Sequence, residues 1–152
     1  MLSIIDIVFP ETANNNYFGH PYVIPVFWFL TIVSIAKSSM YVFKFDGGTE
    51  SVAKIPLKKF PIEASETLIA FAAVFGLSQL LMSFVYTVIL VRYKSLLPLG
   101  ILFFTSENFF AGLITPVLGK KMHSEGPRGK VCLFSHIFPL IGIILFWYSC
   151  PY

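Results

Sequence analysis

Four long apolar stretches separated by polar loops set the pattern of this chain. Their limits predict helices over about residues 22–43, 64–92, 95–118 and 130–149. A helix of about 20 consecutive apolar residues is long enough to cross the hydrocarbon core of a bilayer. We therefore predict an all-α fold, an integral membrane antiparallel four-helix bundle, with residues 1–152 forming a single transmembrane domain.

The residues before the first stretch are expected to stay outside the bilayer core. Met1–Phe9 is apolar and is predicted to form one or two turns at the membrane surface, stopped by Pro10. Glu11–Pro21, with three consecutive asparagines, reads as a polar loop.

Composition supports the membrane class. The chain is 56% hydrophobic and only 12% charged, with a net charge of +3. Soluble domains are about 45–50% apolar and about 25% charged. The lipid bilayer is therefore the expected surrounding, and the modest positive charge gives no reason to expect nucleic acid as a partner.

Basic residues are distributed unevenly between the two sides of the predicted bundle. Both termini and the 92–95 turn share one side, which carries only Arg92 and Lys94. The opposite side carries eight basic residues: Lys44, Lys54, Lys58, Lys59, Lys120, Lys121, Arg128 and Lys130. Because cytoplasmic loops are enriched in Lys and Arg, we predict that loops 44–63 and 119–130 are cytoplasmic and that both termini lie outside.

Small and polar residues follow one face of the second predicted helix, namely Ala72, Gly76, Gln79, Ser83 and Tyr86. Small residues allow helix backbones to approach closely in lipid, where tight packing replaces the hydrophobic effect. This stripe is predicted first as a packing seam, with a binding face as the alternative.

Each predicted helix also contributes one strongly polar side chain at a similar depth. Depth is counted in residues from the end of each helix that lies on the same side as the two termini. At about 1.5 Å per residue, the four positions differ in depth by no more than about 5 Å. Unpaired charge in hydrocarbon is prohibitive, so we expect Lys37 and Glu107 to form an ion pair. Three further side chains would complete this polar layer by hydrogen bonds: Gln79, Asn108 and His136.

Three interpretations of the polar layer stay open. It is a structural network that fixes helix register, or a proton or ligand site, or Lys37 reaches an interface while Glu107 is protonated. No close His, Glu or Cys spacing indicates a metal site, and His136 alone cannot supply two haem ligands. His20 and His123 fall in loops and are expected to be solvated. No Ser/His/Asp or Cys/His arrangement is present, which favours a protein that is not an enzyme, and the sequence identifies no cofactor.

Three segments resemble a known group of proteins: Asp46-Gly47-Gly48 with Ser51-Val52-Ala53, Gly76-Leu77-Ser78-Gln79-Leu80-Leu81, and Arg92-Tyr93-Lys94-Ser95-Leu96-Leu97-Pro98-Leu99. Over roughly residues 40–110 the chain resembles small uncharacterised bacterial four-helix integral membrane proteins, broadly the DoxX-like class. The resemblance implies a four-helix membrane fold in the bacterial inner (plasma) membrane and brings no activity.

The third helix of that group carries a Glu-Tyr pair and a basic residue four positions after the glutamate. Glu107 matches this pattern, but Asn108 and Ala111 stand at the other two positions. The in-helix ion pair of the group is therefore absent here, and Lys37 is the expected substitute.

Three classes of function fit these features. The first is a non-catalytic membrane protein, an accessory subunit or helix-packing partner within a homo-oligomer or a larger membrane complex. The second is a protein that binds a small molecule, a quinone or lipid, and is redox-linked through the polar layer. The third is a proton-linked transporter acting as an oligomer, because four helices rarely enclose a pathway alone.

Overall fold

The computed structural model describes the backbone of residues 4–51, 55–121 and 128–150, and the side chains of residues 5–51, 55–110 and 137–150. Within these ranges every regular element is helical. The α-helices are α1 Ile4–Val8, α2 Val23–Phe43, α3 Ile62–Arg92, α4 Leu97–Lys121 and α5 Arg128–Ser149. The all-α prediction is confirmed for this part of the chain.

The four long helices match the four predicted stretches, and the largest shift is the end of α4 at Lys121 rather than Leu118. At the other end of α4 a short 3-10 turn, Lys94–Leu96, precedes the helix, so Ser95 lies just outside it. Ser95 instead bonds to the N-terminal loop, as described below. The short N-terminal helix α1 also lies within the predicted surface turns.

Two helices are long and apolar enough to cross a membrane, judged by length and composition within the described residues. These are α2, with a mean hydropathy of 1.6, and α3, with a mean hydropathy of 2.1. At 31 residues α3 is about 46 Å long, well beyond the roughly 30 Å hydrocarbon core. The four-helix transmembrane bundle as a whole stays a prediction.

The chain divides into two compact units, Met1–Phe29 with Tyr86–Tyr152, and Leu30–Val85. In the first unit α4 packs along α5, and α1 also contacts α4. The core of this unit includes Leu97 and Ile101 of α4, which have no exposed surface, and Leu90 near the end of α3. Gly142 of α5 lies directly against Thr105 of α4.

The second unit joins the rest of α2 to most of α3. Gly76 of α3 is buried against Tyr41 of α2, with the Ser38 carbonyl oxygen also close by. Tyr41 also packs edge-on against Phe75, with ring centroids 6.4 Å apart. The seam predicted on α3 is thus confirmed at Gly76, where a glycine permits close helix approach.

A tight turn follows α2 and is held by the Asp46 side chain. The Asp46 carboxylate accepts hydrogen bonds from the backbone N–H groups of Gly48, Glu50 and Ser51, at 3.2, 3.2 and 2.6 Å. Gly47 and Gly48 have φ angles of 54° and 68°, a region that favours glycine. The hydrogen bond from the Ser51 N–H lowers the pKa of Asp46 below its ordinary value, and the bond from the Gly48 N–H makes a smaller contribution in the same direction. The turn therefore favours the ionised form of this carboxylate.

The polar N-terminal loop is docked onto the first unit at two points. Ser95 accepts the N–H of Asn14 at 2.9 Å, donates its hydroxyl to the Asn14 carbonyl at 3.0 Å, and donates its own N–H there at 3.2 Å. The His20 N–H donates to the Tyr148 carbonyl at 3.0 Å. The prediction that His20 lies in a loop is confirmed, but its ring is only partly solvated, because it is half-buried and packs against those of Tyr22 and Tyr148. His123 lies outside the described residues.

Candidate functional site

The predicted polar layer includes two neighbouring residues of α4, Glu107 and Asn108, and both are half-buried. The Asn108 side-chain amide donates a hydrogen bond to the Phe104 carbonyl at 2.7 Å. That bond satisfies part of the amide within its own helix, since Phe104 lies one turn earlier. Asn108 thus has a structural contact that needs no ligand.

The other predicted members lie elsewhere in the chain. Lys37 of α2 is exposed, and Gln79 of α3 is half-buried, with its backbone carbonyl accepting the Ser83 hydroxyl at 2.8 Å. Lys37 and Gln79 belong to the second compact unit, whereas Glu107 belongs to the first. The His136 side chain lies outside the described residues. The shared layer and its ion pair therefore stay predictions.

Aromatic side chains from four helices meet beside Glu107 and form what we call the aromatic cluster: Phe27, Tyr86, Phe104 and Phe138. Their rings contact one another edge-on, with centroids 5.6 Å apart for Phe27 and Tyr86 and 6.2 Å apart for Phe104 and Phe138. Such edge-to-face contacts contribute about 0.5–1.5 kcal/mol each beyond the area buried. Phe27, Tyr86 and Phe104 are at most 3% exposed, so the cluster is a rigid apolar wall.

The Tyr86 hydroxyl is the polar atom of this cluster. It is buried and makes no hydrogen bond of ordinary geometry. The Glu107 carboxyl lies close enough to interact with it electrostatically. A carboxyl group and a phenol side by side in an apolar setting can share a proton or bind one polar group of a ligand. This pairing lies wholly within the first compact unit.

Sequence reasoning placed Tyr86 on the packing seam of α3 but did not connect it with Glu107. The depth comparison counted backbone positions, and Tyr86 is only 6 residues from Arg92 whereas Glu107 is 12 residues from Ser95. This difference of six residues is about 9 Å in depth, and a phenol that carries its oxygen about one helical turn from its own backbone position covers more than half of it. Including the lengths of both side chains would have brought the two groups much closer in depth.

Within the described residues, no group of three or more His, Cys, Asp or Glu side chains is arranged to hold a metal ion. The polar groups that the structure describes next to Glu107 include the Tyr86 hydroxyl and the amide of Asn108, the following residue of α4. Their chemistry is that of hydrogen bonding and proton sharing.

Comparison with known proteins gives no match: no family model, curated protein or solved structure matches this chain. The resemblance to DoxX-like proteins therefore stays a prediction carried by the sequence segments alone.

Proposed function

We propose that this chain is a multi-pass integral membrane protein with a four-helix antiparallel bundle, acting as a non-catalytic accessory subunit of a larger membrane complex. The observation that carries this proposal is the surface of α3. Of the two helices that could cross a membrane it has the higher mean hydropathy, yet only 11% of its apolar span is buried by the rest of the chain.

The exposed side chains of α3 are large and lie on more than one face of the helix. Phe71 is 72% exposed, Phe84 is 67% exposed and Leu81 is 60% exposed. A helix that is apolar all round is expected either in the core of a large protein or in a membrane. Lipid satisfies part of this surface, and a helix of a partner subunit packed beside α3 would satisfy the rest.

The test is photo-crosslinking from native membranes. A photoreactive phenylalanine analogue at Phe71 is expected to capture a partner membrane protein, because this side chain projects from α3. The same analogue at Phe18, which is 77% exposed but lies in the N-terminal loop, is the matched control and should not capture it. Two results together would contradict the accessory role. Neither position would crosslink to another protein, and the isolated protein would catalyse turnover of a substrate.

The proposed orientation places both termini outside and the basic loops 44–63 and 119–130 in the cytoplasm of a bacterial cell. A cysteine appended at either terminus, in a chain whose Cys132 and Cys150 are replaced by serine, is expected to react with an impermeant thiol reagent on intact cells. Lys58→Cys, in a cytoplasmic loop, should react only after the membrane is opened. The reverse pattern of labelling would reject this orientation.

One observation favours a second candidate function, a small-molecule site for a quinone or lipid or a proton-linked transport site. That observation is the Tyr86 hydroxyl beside Glu107 within the aromatic cluster. A phenol and a carboxyl group side by side in an apolar setting can together bind one polar group of a bound molecule. Copurified ligand identified by mass spectrometry, or pH-dependent flux in vesicles from an oligomer, would favour this function.

Glu107→Gln separates the structural role of the polar layer from this second function. With a structural role we expect the free energy of unfolding to fall by about 1–3 kcal/mol, because partners of the carboxylate are left unsatisfied. The measurement is unfolding in mixed micelles, with Glu66→Gln at the exposed start of α3 as the control. Unchanged stability combined with loss of copurified ligand or of flux would instead identify Glu107 as a functional residue.

A further inference from the structure

The docked N-terminal loop encloses a cleft on the side of the first unit where α4 begins and α5 ends. The cleft has a volume of about 490 Å³ and is lined by residues of α1, the loop, Ser95, Pro98 and Ser149. Small-molecule sites in proteins typically measure about 300–1,000 Å³. The cleft lies wholly within one compact unit and is distinct from the aromatic cluster.

The walls of this cleft are fixed before any ligand arrives. The Asn14–Ser95 hydrogen bonds tie one wall to the start of α4, and the Asn16 N–H donates to the Asn14 side-chain oxygen at 2.9 Å. At Gly19 an added Cβ would collide with the Tyr17 hydroxyl and meet the Ser149 carbonyl oxygen at 2.5 Å. Only glycine allows the loop to approach the end of α5 so closely, so the shape of the cleft is built into the chain.

The charged groups that line the cleft are carboxylates. Asp6 comes from α1 and Glu11 from the loop, and no Lys or Arg is among the described lining residues. Three aromatic side chains accompany them, Phe9, Tyr17 and Phe18. Carboxylates attract a positive charge, and aromatic faces attract a cation that carries apolar groups. Together they favour an organic cation over either an anion or a neutral apolar molecule.

The Tyr17 ring is part of the cleft wall, and its hydroxyl is buried within that wall. Burial, with a smaller contribution from Cys150, raises the pKa of this hydroxyl above its ordinary value. The phenol therefore stays neutral and adds no charge to those of the two carboxylates.

We propose that this cleft binds an organic ammonium ion. Asp6 and Glu11 balance the charge of the ammonium group, and the rings of Phe9, Tyr17 and Phe18 contact its carbon substituents. The ammonium group belongs either to a free amine or to a lipid headgroup, since both present the same chemistry to the cleft.

The test is calorimetric titration of the full chain in a maltoside detergent, which has no ammonium group. The probes are choline and 3,3-dimethylbutan-1-ol, a neutral molecule of nearly the same shape. Saturable binding of choline, about tenfold or more tighter than that of the neutral alcohol, is expected from the charge and the aromatic faces. Equal binding of the two molecules, or no saturable binding of choline, would overturn the proposal.

Matched variants locate the binding in the cleft. Asp6→Asn with Glu11→Gln is expected to remove the preference for choline, and Tyr17→Leu, which removes an aromatic face, to weaken choline binding. Glu50→Gln, an exposed carboxylate in the other unit, should leave it unchanged. If the double variant fails to fold, the single variants at the exposed Asp6 and Glu11 make the same comparison. Choline binding that survives both single changes undiminished would refute the assignment.

The source of the ammonium group is decided in lipid nanodiscs. If the ligand is a lipid headgroup, discs of phosphatidylcholine should suppress the binding of added choline relative to discs of phosphatidylglycerol. If it is a free amine, choline should bind equally in both. Both results support the ammonium site, whereas absence of choline binding in both kinds of disc would overturn it.

Discussion

Gly76→Ala is expected to force α2 and α3 apart and to lower the free energy of unfolding by about 1–3 kcal/mol, the usual range for overpacking. The added Cβ would collide with the Cβ of Tyr41 and lie 3.3 Å from the Ser38 carbonyl oxygen. Neither atom can move by rotating a side chain, because one is attached directly to the backbone and the other belongs to it. Unfolding of the purified protein in mixed micelles, followed by circular dichroism, measures the loss.

Gly100→Ala is the matched control, since it makes the same change within a helix. There the new Cβ would meet the end of the Ile89 side chain at 3.3 Å and the edge of the Phe27 ring at 3.7 Å. A terminal methyl group can shift by a few tenths of an ångström, and alanine favours a helix over glycine by about 1 kcal/mol. Stability should stay the same or rise. Equal losses at the two glycines would show that close approach at Tyr41 is not the cause.

Gly142→Ala is expected to have an effect of similar size, about 1–3 kcal/mol, by separating α5 from α4. The added Cβ would collide with the Thr105 hydroxyl and lie 3.0 Å from the Thr105 Cβ. Thr105 is buried and has little freedom to rotate, because its hydroxyl donates to the Ile101 carbonyl at 2.6 Å. The same unfolding measurement applies.

The control for Gly142→Ala is a double-mutant cycle with Thr105→Ala, which removes the hydroxyl and the methyl group that obstruct the new Cβ. The double variant is expected to be more stable than the sum of the two single changes predicts, because the collision is relieved. Additive losses would mean that the two residues do not compete for the same space, contrary to the structure.

The helices could be predicted from the sequence because each follows a long apolar run whose limits are marked by polar, glycine or proline residues. The end of α4 was predicted at Leu118, because Gly119 and Lys120 signal a stop, whereas the helix continues to Lys121. The docked N-terminal loop could not be predicted. It depends on hydrogen bonds between Asn14 and Ser95, residues 81 positions apart, and no local pattern encodes such a contact.

The candidate site was predicted in part. Glu107 was identified because a carboxylate in an apolar run is costly wherever it lies, and a single sequence suffices to show that. Its neighbour Tyr86 was assigned to packing, because it lies on a seam of small residues. A tyrosine there can act through its ring or through its hydroxyl, and the sequence does not show which. The cleft under the N-terminal loop was missed for another reason: its lining comes from α1, the loop and the ends of two helices, so no single segment contains it.

In the proposed transmembrane arrangement, the length of α3 would make the chain responsive to membrane thickness. Beyond Glu66 its apolar part, from Thr67 to Val91, is about 37 Å long, whereas a typical hydrocarbon core measures roughly 30 Å. A tilt of about 35° would fit this length to the core, which lies near the upper end of the usual range for such helices. A thicker bilayer would allow α3 to stand more upright. Lipid composition would therefore sort this protein between membranes of different thickness, because the fit depends on the length of α3.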